Sequence, residues 1–331
     1  MTHFTTAKLL SLRDSLSAHP DQDVLRSYFK GSSSGPLSSA VLVTLHRNWT
    51  THPPYRLLSL GITTYTRTDA HNTPPPSPGP HAENLLRELW CLHLVIRPTA
   101  HIDSNTATGP PPFHFGTTIY VSLTEALDML YAIWHQPIDE YNPKAGFRPI
   151  LYMSFGNNDS VGKIRRPAFD FDPSGIDTTV ATLDAQIIPQ QAKITRHADA
   201  SLTYLLSQFN LKGSDEDNAG NSAVYTTTVA VLSSLRMELY ASTKNLVAKP
   251  GQTGVSSVKK ASEVVQGLMD GPTPPPPWGT DVFCVRCGSW EHGFKGCEWE
   301  GVAACEKCEK SRVQWRRENA GTHLGDVCGF R

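Results

Sequence analysis

The chain has 331 residues, of which 39% are hydrophobic, and its 30 basic and 31 acidic residues leave a net charge of −1. This length suits one medium domain with attachments or two small domains, and the near-neutral charge excludes a global positive field that would steer nucleic acid. No apolar run approaches the roughly 20 residues of a membrane helix, and the first 30 residues lack a signal peptide's apolar core, so we expect no membrane partner.

The first third of the chain predicts two helices and three strands. The helices are expected at 6–17 and 21–30, and a GSSSGP linker separates them from VLVTLHRNW at 41–49. Two further strands are LLSLGITTYT at 57–66 and LWCLHLVIR at 89–97. Because no helical pattern divides the three strands, they predict an antiparallel meander. Pro-rich loops are predicted at 68–82 and 104–112.

From residue 122 the pattern changes to alternating helix and strand. The predicted elements are a helix at 122–135, a strand at 149–155, a short helix after Asp159, a strand at 179–188, and helices at 200–209 and 219–240. A meander followed by β-α-β-α predicts the α/β class, with a mixed sheet and helices on both of its faces.

The composition divides the chain into four predicted parts. These are an N-terminal helical segment and linker at 1–36, an α/β domain at 37–243, a Pro-rich linker at 244–280, and a small zinc-stabilised module at 281–331.

Six of the seven cysteines lie in the last of these parts. The spacing is Cys-x2-Cys-x4-His-x4-Cys, followed by Cys-x2-Cys-x14-His-x4-Cys, which is typical of zinc ligands. The predicted ligands are Cys284, Cys287, His292, Cys297, Cys305, Cys308, His323 and Cys328. Three thiolates and one imidazole fill a tetrahedral shell, so we predict two structural zinc ions. Sequential pairing of the ligands is favoured, and an interleaved arrangement stays open.

Free thiols and a metal module indicate a reducing compartment, which places the protein in the nucleus or the cytoplasm. Zinc knuckles of this kind bind single strands by stacking bases on aromatic side chains. Candidate contacts in the module are Trp290, Phe294, Lys310, Arg312, Trp315, Arg316 and Arg317. A protein-binding role for the module is equally open.

The blocks VLVTLHRNW, LGITTY, FHFGT, MSFGNND, TLDAQ and DNAGNSAVYT occur in an order that resembles fungal RNase H-like proteins related to DEDDh 3′–5′ exonucleases. The resemblance covers 37–243 and implies an RNase H-like sheet. It also implies a first strand that ends in Asp-x-Glu, a later Asp, and a last helix that opens with His-x-Ala-x-x-Asp. In that family these carboxylates hold two Mg²⁺ or Mn²⁺ ions, and the His is the general base.

This chain departs from that pattern. The Asp-x-Glu positions hold His46 and Asn48, the family His corresponds to Asp217, and the final Asp corresponds to Ser222. Only Asp159 matches the resemblance. Because two divalent ions need several anionic oxygens, the departures predict a catalytically degenerate domain.

The resulting hypothesis is a nucleic-acid-binding protein, for RNA or single strands, with Lys163, Arg165 and Arg166 beside the cleft as possible phosphate contacts. Two alternatives stay open. One is an active 3′–5′ exonuclease that uses non-standard ligands and Mg²⁺ or Mn²⁺, and the other is a scaffold for protein partners.

Overall fold

The structure is a computed structural model that describes ten segments of the chain. These are residues 6–31, 35–51, 55–67, 78–79, 81–102, 111–156, 165–166, 169–240, 261–298 and 305–329. Two of the predicted site residues, Asp159 and Lys163, and the short helix expected after Asp159 lie outside the described residues. Arg165 and Arg166 are described by their backbone alone.

The described residues form eight strands and eleven α-helices. The strands are β1 (Val41–Trp49), β2 (Leu57–Thr66), β3 (Trp90–Ile96), β4 (Thr118–Val121), β5 (Ile150–Ser154), β6 (Arg165–Arg166), β7 (Phe169–Asp170) and β8 (Thr179–Asp184). The helices are α1 (Thr6–Ser17), α2 (Asp21–Lys30), α3 (Glu83–Leu86), α4 (Leu123–Trp134), α5 (Ile188–Gln191), α6 (Leu202–Gln208), α7 (Ala219–Ser234), α8 (Arg236–Tyr240), α9 (Ala261–Asp270), α10 (Glu306–Glu309) and α11 (Gln314–Glu318).

The main sheet has the order β4-β3-β2-β1-β5-β8 over the described part of the chain. The β1-β2 and β2-β3 pairs are antiparallel, while β1-β5, β5-β8 and β3-β4 are parallel. The predicted meander and the mixed α/β sheet of RNase H-like order are therefore confirmed. β4 was not predicted, because its four residues are too few to show a periodic pattern.

The central strand β1 is covered on both faces, which explains its continuous apolar run. Side chains alternate along a strand, so Leu42 joins the core on one side of the sheet while Val41, Val43 and Leu45 join the core on the other side. On the Leu42 side, the Thr44 hydroxyl lies 2.7 Å from the hydroxyl of Thr227 in α7. The strand and this helix are thus fixed against each other.

All 16 residues of α7 are buried. The helix begins at the N-cap Asn218, whose side chain accepts hydrogen bonds from the backbone of Gly220 and Asn221. A Cβ on Gly61 of β2 would lie 1.8 Å from the Ala219 carbonyl oxygen, so only glycine permits this approach of strand and helix. The helix predicted at 219–240 is divided into α7 and α8 at Leu235, whose ψ of 12° departs from helical geometry.

The strand predicted at 179–188 ends earlier, at Asp184. The Asp184 carboxylate accepts hydrogen bonds from the backbone N–H groups of Gln186 (2.8 Å) and Gly156 (2.9 Å). This turn formed by a side chain competes with the strand ladder, and α5 follows it.

The N-terminal helices pack on the α/β domain. Arg13 of α1 donates hydrogen bonds to the carbonyl oxygens of Thr179 (2.9 Å) and Ile176 (3.1 Å), and the Asp21 carboxylate accepts one from the backbone of Asp184 (2.8 Å). Burial is the main reason that the pKa of Asp21 is raised. Helices α1 and α2 therefore cover the β8 edge of the sheet.

The predicted linker at 244–280 differs from the structure over its second half. Residues 261–270 form α9, and Val264 and Val265 of this helix are buried in the core. Beyond α9, Thr273 forms a bridge with Gly116, and Thr280 forms one with Tyr120 of the edge strand β4. Because these contacts join residues far apart in sequence, composition alone could not reveal them.

None of the helices in the described segments combines the length and the hydropathy needed to cross a bilayer.

Candidate functional site

A cleft of about 760 Å³ lies at the carboxyl end of β1, where the sequence predicted the degenerate site. Its walls come from the end of β1, the start of β2 and the loop before α7. Aromatic side chains on the walls are Trp49, Tyr55 and Phe155, and acidic side chains are Asp215, Glu216 and Asp217.

His46 is largely buried at the base of this cleft. Its Nε2 atom lies 2.9 Å from the Thr226 hydroxyl of α7. Burial, and secondly the charge of Arg47, lowers the pKa of His46 from 6.5 to about 4. The imidazole is therefore neutral at pH 7, with one ring nitrogen used to hold strand and helix together.

Two other positions of the predicted site make hydrogen bonds to backbone carbonyl groups. The Asn48 amide donates to the Asp217 carbonyl oxygen at 2.6 Å, and the Ser222 hydroxyl donates to the Glu216 carbonyl oxygen at 2.5 Å. The structure thus brings His46, Asn48, Asp217 and Ser222 to one place, as the resemblance implied. Their contacts fix the loop at 215–217 against β1 and α7.

The described residues of the cleft do not fit a two-ion site. Such a site needs several carboxylate oxygens to offset four positive charges. Within the described segments, the side-chain groups with three or more potential ligands in reach of one ion are both in the cysteine module. A neutral imidazole and a carboxamide cannot replace the missing anionic oxygens.

One pair at the cleft rim was missed by the sequence analysis. The Nε2 atom of His114 lies 2.7 Å from an Asp215 carboxylate oxygen, and the His114 backbone donates to the Asn221 side chain at 3.0 Å. Asp215 adopts a φ of 50°, in the left-handed region. FHFGT was part of the resemblance, but 101 positions separate His114 from Asp215, so no local signal could have paired them.

The cysteine module contains two groups of four ligands each. Cys284, Cys287, His292 and Cys297 form one, with their potential ligand atoms within 4.8 Å of one another. The second comprises Cys305, Cys308, His323 and Cys328. The structure therefore has the sequential pairing, and the interleaved arrangement does not occur.

The ligand distances fit tetrahedral zinc. In the first group, Cys287 Sγ lies 3.4 Å from His292 Nε2, and in the second, Cys308 Sγ lies 3.6 Å from His323 Nε2 and 3.5 Å from Cys328 Sγ. Zinc bonds of about 2.0–2.3 Å give such separations along the edges of a tetrahedron. Burial raises the pKa of the Cys308 thiol to about 12, so the thiolate needs a cation beside it.

The second group is supported by outer contacts. The Thr322 hydroxyl lies 3.0 Å from His323 Nδ1, which leaves Nε2 directed to the thiols. On the α/β domain, the His101 ring stacks on His323 at a centroid distance of 3.6 Å, and His101 Nε2 accepts a hydrogen bond from the Gly329 backbone. The module is thus packed on the domain and is not a freely tethered knuckle.

A family model described as DNA polymerase III subunit epsilon-like, C-terminal domain (DEDDh_C) matches residues 41–233. The chain belongs to this family. The match covers the meander and nearly all of α7, so the cleft described above lies in a DEDDh exonuclease-like domain.

Among solved structures, the chain is similar to exonuclease I. It is 11% identical to E. coli exonuclease I in complex with a dA16 oligonucleotide, with a TM-score of 0.34, covering 60% of this chain and 41% of that chain. For the ExoI/SSB-Ct complex the identity is 10% and the TM-score 0.33, again covering 60% of this chain and 41% of that one. The chain thus spans about two fifths of these exonuclease I chains. No curated protein matches it.

Within the zinc module of this DEDDh_C family member, the candidate nucleic-acid contacts lie in two parts. Trp290 is exposed beside the first ligand group, and Arg286 lies 4.8 Å over the ring of Phe294. The basic stretch lies within the second group, between Cys308 and His323, from the end of α10 through α11. There Lys310 pairs with Glu306 at 3.0 Å and Arg317 donates to the Ser311 carbonyl at 2.7 Å, while Arg312 is exposed and Trp315 and Arg316 are half-buried.

Proposed function

We propose that this protein binds single-stranded nucleic acid, RNA or DNA, through a DEDDh exonuclease-like domain that has lost its metal-dependent chemistry. The observation that carries the proposal is the contact pattern of His46 and Asn48. Both occupy positions where the family resemblance requires carboxylates. His46 forms a hydrogen bond with the Thr226 hydroxyl, and Asn48 donates one to the Asp217 carbonyl oxygen. These contacts support a structural role for the two side chains.

Binding without cleavage is chemically reasonable at such a site. In-line displacement at phosphorus depends on two ions that stabilise the attacking and leaving oxygens, whereas binding of a strand needs only aromatic platforms and cations. The chain keeps a large cleft with aromatic walls, and it adds a zinc module that carries exposed aromatic and basic residues. Two structural zinc ions would be held by the two Cys₃His groups, where they would fold the module.

The test uses 5′-labelled single-stranded DNA and RNA oligonucleotides with the full, zinc-loaded chain. Anisotropy measures binding and a denaturing gel measures length, in buffer without divalent ions and with Mg²⁺ or Mn²⁺. Chelators are left out because they would remove zinc. We expect bound, uncut strands whose affinity falls as salt rises, because phosphate contacts release counterions.

Other results would favour the alternatives. Metal-dependent shortening that the Asp159→Ala variant abolishes would establish an active exonuclease, since Asp159 is the one matching carboxylate of the resemblance. Shortening that persists in D159A would show that the cleavage does not depend on the Asp159 carboxylate. Absence of binding to either oligonucleotide at low salt would overturn the proposal and favour a scaffold for protein partners.

A further inference from the structure

A second groove, here called the junction groove, lies where the zinc module meets the α/β domain. It has a volume of about 370 Å³. The domain contributes Arg56, from just before β2, and Arg97, from the end of β3, while the module contributes Trp290 and Asp326. The groove exists only because the module is packed against the domain.

Trp290 is held in a fixed orientation in this groove although 57% of it is exposed. The Arg97 guanidinium carbon lies 4.7 Å from the centroid of the indole ring, and the Phe283 ring meets the indole edge-on at 6.3 Å and 88°. Arg97 is itself anchored, since it donates to Glu125 at 2.7 Å and to the Tyr120 carbonyl at 3.3 Å. An exposed indole fixed in this way loses little conformational entropy when a flat ligand stacks on it.

The charge in the groove favours an anion. The groove is lined by two cations, Arg56 and Arg97, and by one exposed carboxylate, Asp326, while Arg97 is also paired at 2.7 Å with Glu125, which lies outside the lining. Among the described residues, Nε of Arg56 has no hydrogen-bond partner. The cleft at β1 differs, because its rim carries three acidic side chains at 215–217 and would repel phosphates.

The two openings are lined by neighbouring residues of the connection between β1 and β2. Tyr55 lines the cleft, and the next residue, Arg56, lines the junction groove. The hairpin is closed by hydrogen bonds between Thr50 and Arg56, where the Thr50 N–H donates to the Arg56 carbonyl and the Arg56 N–H donates to the Thr50 hydroxyl, each at 3.0 Å.

We infer that the junction groove is the main single-strand contact, in which an unpaired base stacks on Trp290 and the neighbouring phosphate pairs with Arg56 and Arg97. This inference rests on the proposed function. The junction groove is then the part of the molecule that binds the strand, and the phosphate contacts lie away from the cleft at β1. The chemistry required, a π-face next to a phosphate, is common to RNA and DNA.

The experiment measures the affinity of the full, zinc-loaded chain for labelled oligo(dT) and oligo(U) at several salt concentrations. Trp290→Ala should weaken binding by about tenfold, as expected for the loss of one stacked base, and Trp290→Phe should recover most of that loss. Arg56→Gln should lower the slope of log affinity against log salt by about one. If W290A and R56Q lose equal affinity for oligo(dT) and oligo(U), the groove recognises base and phosphate. A larger loss of affinity for oligo(U) would show a preference for RNA at this groove.

The matched control is Tyr141→Ala, which removes an aromatic side chain that is 96% exposed and lies outside both openings. This variant should bind as the original chain does. Zinc content and circular dichroism check that each variant is folded. If W290A and R56Q bind normally while N48A in the cleft is weakened, the inference is wrong and the proposed function stands. If the unmodified chain binds neither oligonucleotide, both are wrong.

Discussion

His46 Nε2 lies 2.9 Å from the hydroxyl of Thr226, and this contact joins β1 to α7 at the base of the cleft. The resemblance to DEDDh exonucleases implies a metal-binding carboxylate at the position of His46. In this chain the same position holds a neutral, half-buried hydrogen-bonding group. The His46–Thr226 contact should therefore affect the free energy of unfolding, which can be measured without an activity assay.

Acid should destabilise the fold through His46. Burial lowers its pKa from 6.5 to about 4, so below pH 6.5 the unfolded chain binds a proton that the folded chain does not bind until about pH 4. The stabilising contribution is present above pH 6.5 and is lost as the pH falls toward 4. At pH 5 the free energy of unfolding should be lower by about 2 kcal/mol than at neutral pH. Urea denaturation measures this as a lower midpoint.

His46→Gln should remove this part of the pH dependence, because glutamine does not titrate. Zinc release in acid is common to both proteins, so the difference between their unfolding curves reports His46 alone. His197→Gln, at an exposed histidine, is the control for the substitution and should keep the steeper pH dependence. Identical pH dependence in H46Q and the original chain would contradict the buried, neutral imidazole.

Gly61 should not tolerate a side chain. In Gly61→Ala the new Cβ would lie 1.8 Å from the Ala219 carbonyl oxygen, so β2 or α7 must move. We expect a loss of about 3 kcal/mol in the free energy of unfolding, at the upper end for overpacking. Chemical denaturation measures it.

Gly267→Ala is the matched control, since a Cβ there meets nothing within 4 Å in helix α9. It should stabilise the protein by about 0.5–1 kcal/mol, because alanine is the better helix former. A destabilised G267A together with an unaffected G61A would show that the packing of α7 on β2 is incorrectly described.

The metal content should be two zinc ions per chain, divided between the two ligand groups. Cys287→Ser and Cys308→Ser remove one thiolate from different groups, so each should reduce the content to one ion, and the double variant should bind none. Elemental analysis of purified protein measures this. Cys91→Ala should retain both ions, because Cys91 is a buried thiol outside either group. Loss of zinc from C91A would refute this assignment.

The N-terminal helices should contribute to the stability of the domain. Arg13→Ala removes hydrogen bonds to the Thr179 and Ile176 carbonyl oxygens, and we expect unfolding to become easier by about 1.5–3 kcal/mol. The control Arg87→Ala replaces an exposed arginine and should change the free energy by less than about 0.5 kcal/mol. Equal unfolding midpoints for the two variants would mean that α1 does not hold the β8 edge in solution.

Sequence patterns predicted the features that depend on residues close together in the chain. The apolar run of β1, the meander and the helix at α4 were predicted because burial imposes its period on the sequence, and the structure confirms the class of fold. Ligand spacing predicted both Cys₃His groups, because a tight Cys-x2-Cys turn presents two thiolates to one ion.

Non-local contacts could not be predicted in this way. The docking of residues 273–280 beside β4 depends on hydrogen bonds between positions more than 150 residues apart. His114 pairs with Asp215 across 101 positions, and Arg97 makes a cation–π contact with Trp290 of the zinc module. No periodicity connects such residues, so composition suggested a free linker and an independent module.

The sequence by itself determined the family, the α/β class, the two sets of metal ligands and the absence of carboxylates at positions 46 and 48, because residue identity and spacing are sufficient for each. Only the tertiary structure decided that His46 is held neutral by burial against Thr226, and that the zinc module and the domain together form the junction groove. Desolvation and the meeting of two surfaces depend on neighbours that folding brings together, and chain order does not specify them.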